Sequence, residues 1–298
     1  MSKKTVSLVL GSGGARGLAH IGVIRCLIER GYEIKYIAGT SIGALIGGIY
    51  AAGKLDEYER WVRELDRTDV VRLLDLSFTR GALFKGEKII GVLRQLVGDA
   101  NIEDLPIGFT AVATDLNTEK EIWLNQGPLF DAIKASVAVP MVFEPVKIGK
   151  RLLVDGGLVN PIPIAPTLND DSMMTIVVDL NAPAEEIQLE PAEISENNQN
   201  HSEYRTKLVK FIEDLFSSDD DTQDDIPNFY DLLMRSMDAM QTTIANFRMA
   251  AYKPDVIIHI PRDVCDFFEF YKASRLIEFG NKRACESLKT LYDTAPDI

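Results

Sequence analysis

The sequence has little positive charge and very few histidines. Its 32 Lys and Arg residues face 45 Asp and Glu residues, so the formal net charge is -13. This balance argues against a nucleic-acid partner, because phosphate binding needs a basic face. The charge is also uneven, since residues 184–225 hold 13 acidic and three basic side chains, a net -10. Only His20, His201 and His259 are present, so a hydrolase that needs a histidine base has three candidates.

Cysteines and long apolar runs are scarce as well. Cys26, Cys265 and Cys285 are odd in number and form no Cys-x-x-Cys pair. This pattern predicts reduced thiols in a cytosol rather than a disulfide framework or a metal site. No stretch reaches the roughly 18 apolar residues of a spanning helix. We therefore expect a cytoplasmic protein, and peripheral contact with the inner face of a membrane stays open because surface binding needs no such stretch.

Two strand–turn–helix units occupy the first 50 or so residues. Short apolar runs at 5–10 and 34–38 predict strands, and helical spacing follows each of them, at 18–30 and 44–52. Glycine-rich turns join each strand to its helix. Such an alternation predicts an α/β protein with a mainly parallel sheet.

The remaining chain predicts one domain over residues 1–298. Amphipathic helices are expected over 55–76 and 86–97, and a further helix after the Pro161-Ile162-Pro163 run. A polar, aperiodic stretch at about 184–226 indicates a flexible acidic insertion. A helix, a strand and a helix over 228–295 then complete the fold, with the late strand joining the first sheet.

Residues Gly39-Thr40-Ser41-Ile42-Gly43 match Gly-x-Ser-x-Gly between a predicted strand and a predicted helix. In that context a sharp turn exposes the serine oxygen as a nucleophile. The helix N-terminus would favour a developing alkoxide on Ser41. The alternative is a glycine-rich turn whose serine caps the helix. The strand–helix context favours the nucleophile.

The glycine-rich loop Gly11–Gly17 also follows a predicted strand and opens a helix. Its backbone N–H groups could hold an anion, which suits an oxyanion hole for acyl transfer. A dinucleotide site is the main rival, and a purely structural turn is the third interpretation. The dinucleotide fingerprint is Gly-x-Gly-x-x-Gly, whereas the spacing here is one residue longer. Gly39 and Thr40 also stand where the acidic ribose ligand is expected, which disfavours a nucleotide.

Asp155 lies in Asp155-Gly156-Gly157, directly after an apolar run. Its carboxylate could face a partner from a tight turn, although an ordinary Asp-Gly turn is the commoner explanation for this residue alone. An Asp carboxyl has a pKa near ~3.9 and is a weak base for a serine, but burial would raise that pKa.

The three histidines are poorly placed as bases for Ser41. His20 falls within a predicted helix, and His201 falls in the aperiodic acidic stretch. His259, in the last predicted strand, gives the chain order Ser–Asp–His with Asp155 or Asp179. In hydrolases with that order, however, the nucleophile follows several strands, and here it follows only the second.

The motifs around Gly13–Gly17, Gly39–Gly43 and Asp155–Gly157, in this order, resemble the patatin-like phospholipases. The resemblance is closest to small bacterial members related to the neuropathy target esterase catalytic domain. It extends to residues 111–116 and 135–140, and the motif-bearing portion spans about 6–167. The resemblance implies a three-layer α/β/α fold with a mainly parallel central sheet.

Residue by residue, the resemblance implies that Ser41 is the nucleophile and Asp155 its partner in a Ser–Asp dyad. The backbone N–H groups of Gly13 and Gly14 would form the oxyanion hole, and Arg16 would support that loop or the substrate. The family uses neither histidine nor a metal or other cofactor, which fits the scarcity of histidine here. Ser12 is a departure, because many relatives carry glycine at that position.

The resulting hypothesis is a serine acyl-hydrolase of lipid esters, of the phospholipase, lysophospholipase or esterase type, that acts through an acyl-enzyme. Its expected partner is a lipid or acyl-ester substrate, and the sequence leaves the oligomeric state open. One alternative is an acyltransferase of related fold, although such enzymes usually carry His where Thr40 stands. Another is a regulatory protein that retains the fold.

Overall fold

The computed structural model describes residues 4–77, 81–185 and 229–293. The acidic insertion expected at about 184–226 lies almost entirely outside the described residues, and so does His201.

A mainly parallel sheet forms the centre of the molecule. Its strands are β1 (Lys4–Leu10), β2 (Tyr32–Thr40), β4 (Gly108–Asp115), β5 (Lys120–Leu124), β7 (Val146–Ile148), β8 (Arg151–Asp155), β9 (Met174–Ala182) and β10 (Val256–Pro261). They are ordered β10-β9-β1-β2-β4-β8-β7, and β5 pairs with β4. The strands from β10 to β4 run parallel, whereas β5, β7 and β8 are antiparallel to their neighbours. Two short strands, β3 (Ala82–Phe84) and β6 (Met141–Phe143), pair separately.

Helices cover both faces of the sheet. They are α1 (Ala19–Glu29), α2 (Ile42–Ala51), α3 (Leu55–Arg63), α4 (Arg67–Leu73), α5 (Glu87–Val97), α6 (Leu129–Ser136), α7 (Phe229–Tyr252) and α8 (Ala273–Asp293). The prediction of a three-layer α/β/α fold is confirmed, and the late strand joins the first sheet as expected. In the described part of the chain, no helix has the length and apolarity required to traverse a bilayer.

Successive side chains of β1 point to opposite faces of the sheet, and each face packs against a different layer of helices. Leu8 and Leu10 belong to the larger core, with α1 and α8, whereas Val9 packs in a second cluster with Ala245 and Met249 of α7. Both faces of β1 are therefore apolar, as in a central parallel strand covered by helices.

The helix expected over 55–76 is wrong as a single element. The chain breaks between α3 and α4, where Asp66 adopts an extended conformation and accepts a hydrogen bond from the Asp69 N–H. The Asp69 side chain accepts in return from the Asp66 N–H, which completes a capping box. The helix expected after Pro163 is also wrong, because only a 3₁₀ turn at Ala165–Thr167 forms there.

The prediction of free thiols is wrong for two of the three cysteines. Cys26 on α1 and Cys285 on α8 form a disulfide, while Cys265 is free and buried. The pairing joins residues 259 positions apart, so their spacing in the sequence carries no signal of it. It follows from the packing of α8 alongside α1.

Candidate active site

Ser41 occupies a strained turn between β2 and α2. Its backbone angles are φ 57° and ψ -124°, in a region that non-glycine residues rarely adopt. The turn is tight, because a Cβ added to Gly39 would lie 2.4 Å from the carbonyl oxygen of Gly43. Ser41 stands directly before the first residue of α2, so the positive end of that helix faces it.

Hydrogen bonds of hydroxyl side chains hold this turn against β4 and the segment after β8. The Ser41 N–H donates to Ser136 Oγ at 2.9 Å, and Ser136 Oγ donates to the carbonyl oxygen of Val112 at 2.6 Å. Thr40 Oγ1 donates to the Asn160 carbonyl at 2.9 Å. No local pattern in the sequence predicts these contacts of Ser136 and Asn160, although Ser136 falls in the 135–140 segment of the family resemblance.

The sheet register brings Asp155 to Ser41. Thr40 of β2 pairs with Val112 of β4, and the next residue, Ala113, pairs with Asp155 of the antiparallel β8. Asp155 thus ends its strand level with the turn that follows Thr40. The adjacent Gly156 lies so close that an added Cβ would be 2.2 Å from the Val112 carbonyl oxygen and 3.1 Å from Thr40 Cγ2.

The Asp155 carboxyl is buried, with only 3% of the residue exposed. Its Oδ1 accepts a hydrogen bond of 2.6 Å from the Gly157 N–H. Its Oδ2 has no hydrogen-bond partner among the described residues, although the Ser41 side chain is near enough to lower the pKa of the carboxyl. Burial outweighs the lowering by Ser41 and Gly157 and raises the pKa of Asp155 to about 7. The group can therefore accept or donate a proton near neutral pH.

The loop after β1 lies beside this pair. The N–H groups of Ser12 and Ala15 donate to the carbonyls of Pro161 and Phe267, at 3.0 and 2.9 Å. In the described part of the chain, no hydrogen bond engages the N–H of Gly13 or Gly14. Gly14 has φ +56°, and an added Cβ there would lie 2.5 Å from the Phe267 ring. These two amides are available to bind an oxyanion.

Arg16 braces this loop from inside the protein. The side chain is buried, its Nε donates to the Gly13 carbonyl at 3.0 Å, and its guanidinium lies 3.8 Å from Asp238 of α7. Of its two expected roles, the contacts correspond to support of the loop.

The two described histidines have other partners. His20 is fully buried, its Nε2 lies 3.0 Å from the Gly11 carbonyl oxygen, and burial lowers its pKa to about 4. His259 Nδ1 lies 3.2 Å from Asp179 Oδ2 at the β9–β10 end of the sheet. At about 4.8 Å per strand spacing, β10 lies roughly 14 Å from β2. His259 and Asp179 are thus remote from Ser41. Within the described ranges, no cluster of three or more His, Cys, Asp or Glu side chains could hold a metal ion.

An apolar cavity of about 130 Å³ opens at Ser41. Its walls are formed by the helices α2, α3, α4 and α5, by the segment after α6 and by the segment before α8. The lining residues are Gly14, Ser41, Ile42, Leu45, Tyr58, Trp61, Val62, Leu65, Val70, Leu73, Leu74, Ile89, Ile90, Leu93, Val137, Val139, Phe143, Phe267, Phe268 and Phe270. Apart from Ser41, these described residues are glycine, aliphatic or aromatic. The sequence did not reveal the cavity, because the apolar faces of these helices have the same spacing as a closed core.

The sequence is similar to several known proteins. The patatin-like phospholipase family model matches residues 8–168. An uncharacterized NTE family protein of Mycobacterium bovis is 35% identical over 337 residues, which cover 97% of this chain and 92% of the relative. The neuropathy target esterase sws of Drosophila persimilis is 31% identical over 170 residues, 55% of this chain and 12% of that protein.

A solved structure, VipD from Legionella pneumophila, aligns with a TM-score of 0.47 and 14% identity, and covers 97% of this chain and 67% of that one. The family match spans more than half of the present sequence and includes both Ser41 and Asp155. The family indicates a lipid ester hydrolase. The chain belongs to the patatin-like phospholipase family.

Proposed function

We propose that this protein cleaves carboxylic esters of lipids through a Ser41–Asp155 dyad and an acyl-enzyme. One observation carries the proposal. Ser41 is the nucleophilic side chain of an apolar cavity and stands beside a buried carboxyl whose Oδ2 is unpartnered among the described residues. An acyl chain would enter the cavity while its carbonyl carbon meets Ser41 Oγ.

In the first half-reaction, Asp155 takes the proton of Ser41 Oγ as that oxygen attacks the ester carbonyl. The developing oxyanion accepts hydrogen bonds from the N–H groups of Gly13 and Gly14, and the α2 N-terminus adds favourable electrostatics. Asp155 then gives its proton to the leaving alkoxide, and the acyl group remains on Ser41.

In the second half-reaction, Asp155 deprotonates a water molecule that attacks the acyl-enzyme. The tetrahedral species collapses, the proton returns to Ser41 Oγ, and the fatty acid leaves. A carboxyl with a pKa of about 7 suits both roles, because a group titrating near the working pH is an efficient acid and base. The substrates are phospholipids, lysophospholipids or related acyl esters.

Labelling with a fluorophosphonate probe tests the nucleophile. We expect the wild type to be labelled and Ser41→Ala to lose labelling and ester hydrolysis together. Ser236→Ala, a change on the exposed face of α7, is the matched control and should label like the wild type. Labelling of Ser41→Ala at the wild-type level would exclude Ser41 as the nucleophile.

A panel of lipid esters tests the substrate class. Phospholipids, lysophospholipids, acylglycerols and alkyl esters are offered to the wild type and to Asp155→Asn. We expect the wild type to release fatty acid from at least one lipid ester and Asp155→Asn to lose the activity by about 10²–10⁴-fold, the usual contribution of a general base. Normal turnover in Asp155→Asn would contradict the dyad.

A further inference from the structure

A polar contact joins the proposed oxyanion loop to α7. The loop lies within the segment that matches the family model, whereas α7 lies outside it. Ser12 Oγ donates a hydrogen bond of 3.1 Å to Gln241 Oε1. Ser12 is only 2% exposed, and it is not among the non-glycine residues with positive φ, so the serine fits this position without strain. A glycine here would leave Gln241 without this partner.

Gln241 and Ser12 meet Asp155 around Gly157. A Cβ added to Gly157 would lie 2.9 Å from Asp155 Oδ1, 3.0 Å from Gln241 Nε2 and 3.1 Å from Ser12 Oγ. The three polar atoms therefore surround one point and lie within about 6 Å of one another. In the described chain, Gln241 Oε1 is engaged by Ser12, whereas Nε2 donates no hydrogen bond. A donor is thus available next to the catalytic carboxyl.

The proposed chemistry determines which part of a substrate lies there. The acyl chain occupies the apolar cavity on one side of Ser41. The leaving alkoxide takes its proton from Asp155, so the alcohol portion must lie on the Asp155 side, where Ser12 and Gln241 stand. The same side later admits the hydrolytic water, because Asp155 must also deprotonate that molecule.

The charges around Ser12 and Gln241 favour an uncharged polar group as the ligand at this position. Arg16, the cation beside the loop, already contacts the Gly13 carbonyl and Asp238. Asp238 itself is one helical turn from Gln241 on α7. The amide of Gln241 and the hydroxyl of Ser12 suit the oxygens of a polyol, since an amide N–H donates and a hydroxyl can accept.

We propose that Ser12 and Gln241 form a binding site for the glycerol portion of a lipid ester, with Gln241 Nε2 donating to a glycerol oxygen. This site deepens the proposed function and rests on it. It makes α7 part of the specificity of the enzyme, in addition to the motif-bearing segment. A glycerol portion occurs in both acylglycerols and lysophospholipids, so both are tested.

The experiment compares three dodecanoyl esters in the same detergent micelles: monododecanoylglycerol, dodecanoyl lysophosphatidylcholine and ethyl dodecanoate. We expect Gln241→Leu to lower kcat/KM by about tenfold for one or both glycerol esters, the size of one lost hydrogen bond. Hydrolysis of the ethyl ester should change less than about twofold. Ser12→Ala should shift the ratio in the same direction, and Asn246→Leu on the exposed face of α7 should not.

The outcomes separate the two proposals. A selective loss on glycerol esters supports the site, and the ester that loses more shows which head group it serves. An equal loss on all three esters, or no loss, overturns the site but leaves the dyad intact. A wild type that hydrolyses none of the esters in a Ser41-dependent way overturns the proposed function and the site together.

Discussion

At the scale of a single residue, the proposed mechanism makes hydrolysis depend on the protonation of Asp155. Its carboxylate must be ionised to accept the Ser41 proton, and burial raises its pKa to about 7. We therefore expect kcat/KM to fall with pH below about 7, approaching tenfold per unit. The pH–rate profile of a soluble ester measures this. Asp179→Asn changes a buried carboxylate four strands away from β8 in the sheet. This variant should show the same fall of kcat/KM below about pH 7 as the wild type. If kcat/KM of the wild type fell only below about pH 4, burial would not raise the pKa of Asp155.

The same pKa predicts a change in stability. A carboxyl whose folded pKa exceeds its unfolded value of about 3.8 favours the folded state at low pH. That contribution is lost as the pH rises through about 7, where the charge must be buried. Asn at this position keeps the acceptor for the Gly157 N–H but never ionises. Asp155→Asn should thus be more stable than the wild type at pH 8, by on the order of 1–3 kcal/mol.

Urea unfolding at pH 8 and at pH 5 measures this difference, which should be smaller at pH 5. A wild type that is more stable than Asp155→Asn at pH 8 would contradict the sign.

At the scale of secondary-structure elements, α3 and α5 form part of the cavity wall. Val62 on α3 and Leu93 on α5 are almost fully buried and line it. A larger side chain at Val62 would occupy space that the proposed function assigns to the acyl chain. Val62→Trp should therefore reduce kcat/KM for dodecanoyl esters at least tenfold, while butanoyl esters are hydrolysed within about threefold of the wild-type rate.

The stability of this variant needs a separate measurement, because overpacking costs about 1–3 kcal/mol. Both rates are therefore compared at a temperature where circular dichroism shows a folded protein. Val62→Ala is the opposite control and should retain activity on long chains. Equal losses on both chain lengths would mean that the cavity does not receive the acyl group.

Elements differ in how well the sequence predicts them. The strands β1 and β2 and the turns after them follow from short apolar runs that end in glycine, and so do the loop at Gly13 and the turn at Ser41. The break at Asp66 does not, because α3 and α4 continue one amphipathic pattern and only the capping contact with Asp69 separates them. The same holds for Ser136 and Gln241, which reach the site through contacts between distant elements. Local patterns reveal motifs, whereas long-range pairing determines what surrounds them.

At the scale of the whole molecule, the disulfide joins the first and last described helices. Cys26 lies on α1 and Cys285 on α8. These helices approach so closely that a Cβ added to Gly22 would lie 1.9 Å from the carbonyl oxygen of Ile277. The bond closes a loop that contains β2 and the described elements that follow it, up to Cys285 on α8. Its main effect is expected on the unfolded chain, whose conformational freedom it reduces.

Breaking this bond should lower the free energy of unfolding by about 2–5 kcal/mol, because the loop that it closes spans 259 positions. We expect a reductant to lower the Tm of the wild type by roughly 5–15 °C and to leave the Tm of Cys285→Ala unchanged. Without reductant, the Tm of Cys285→Ala should equal the Tm of the reduced wild type. Cys265→Ala removes the buried free thiol and should still respond to reductant like the wild type. A wild type with the same Tm in both conditions would show that α1 and α8 are held by packing alone.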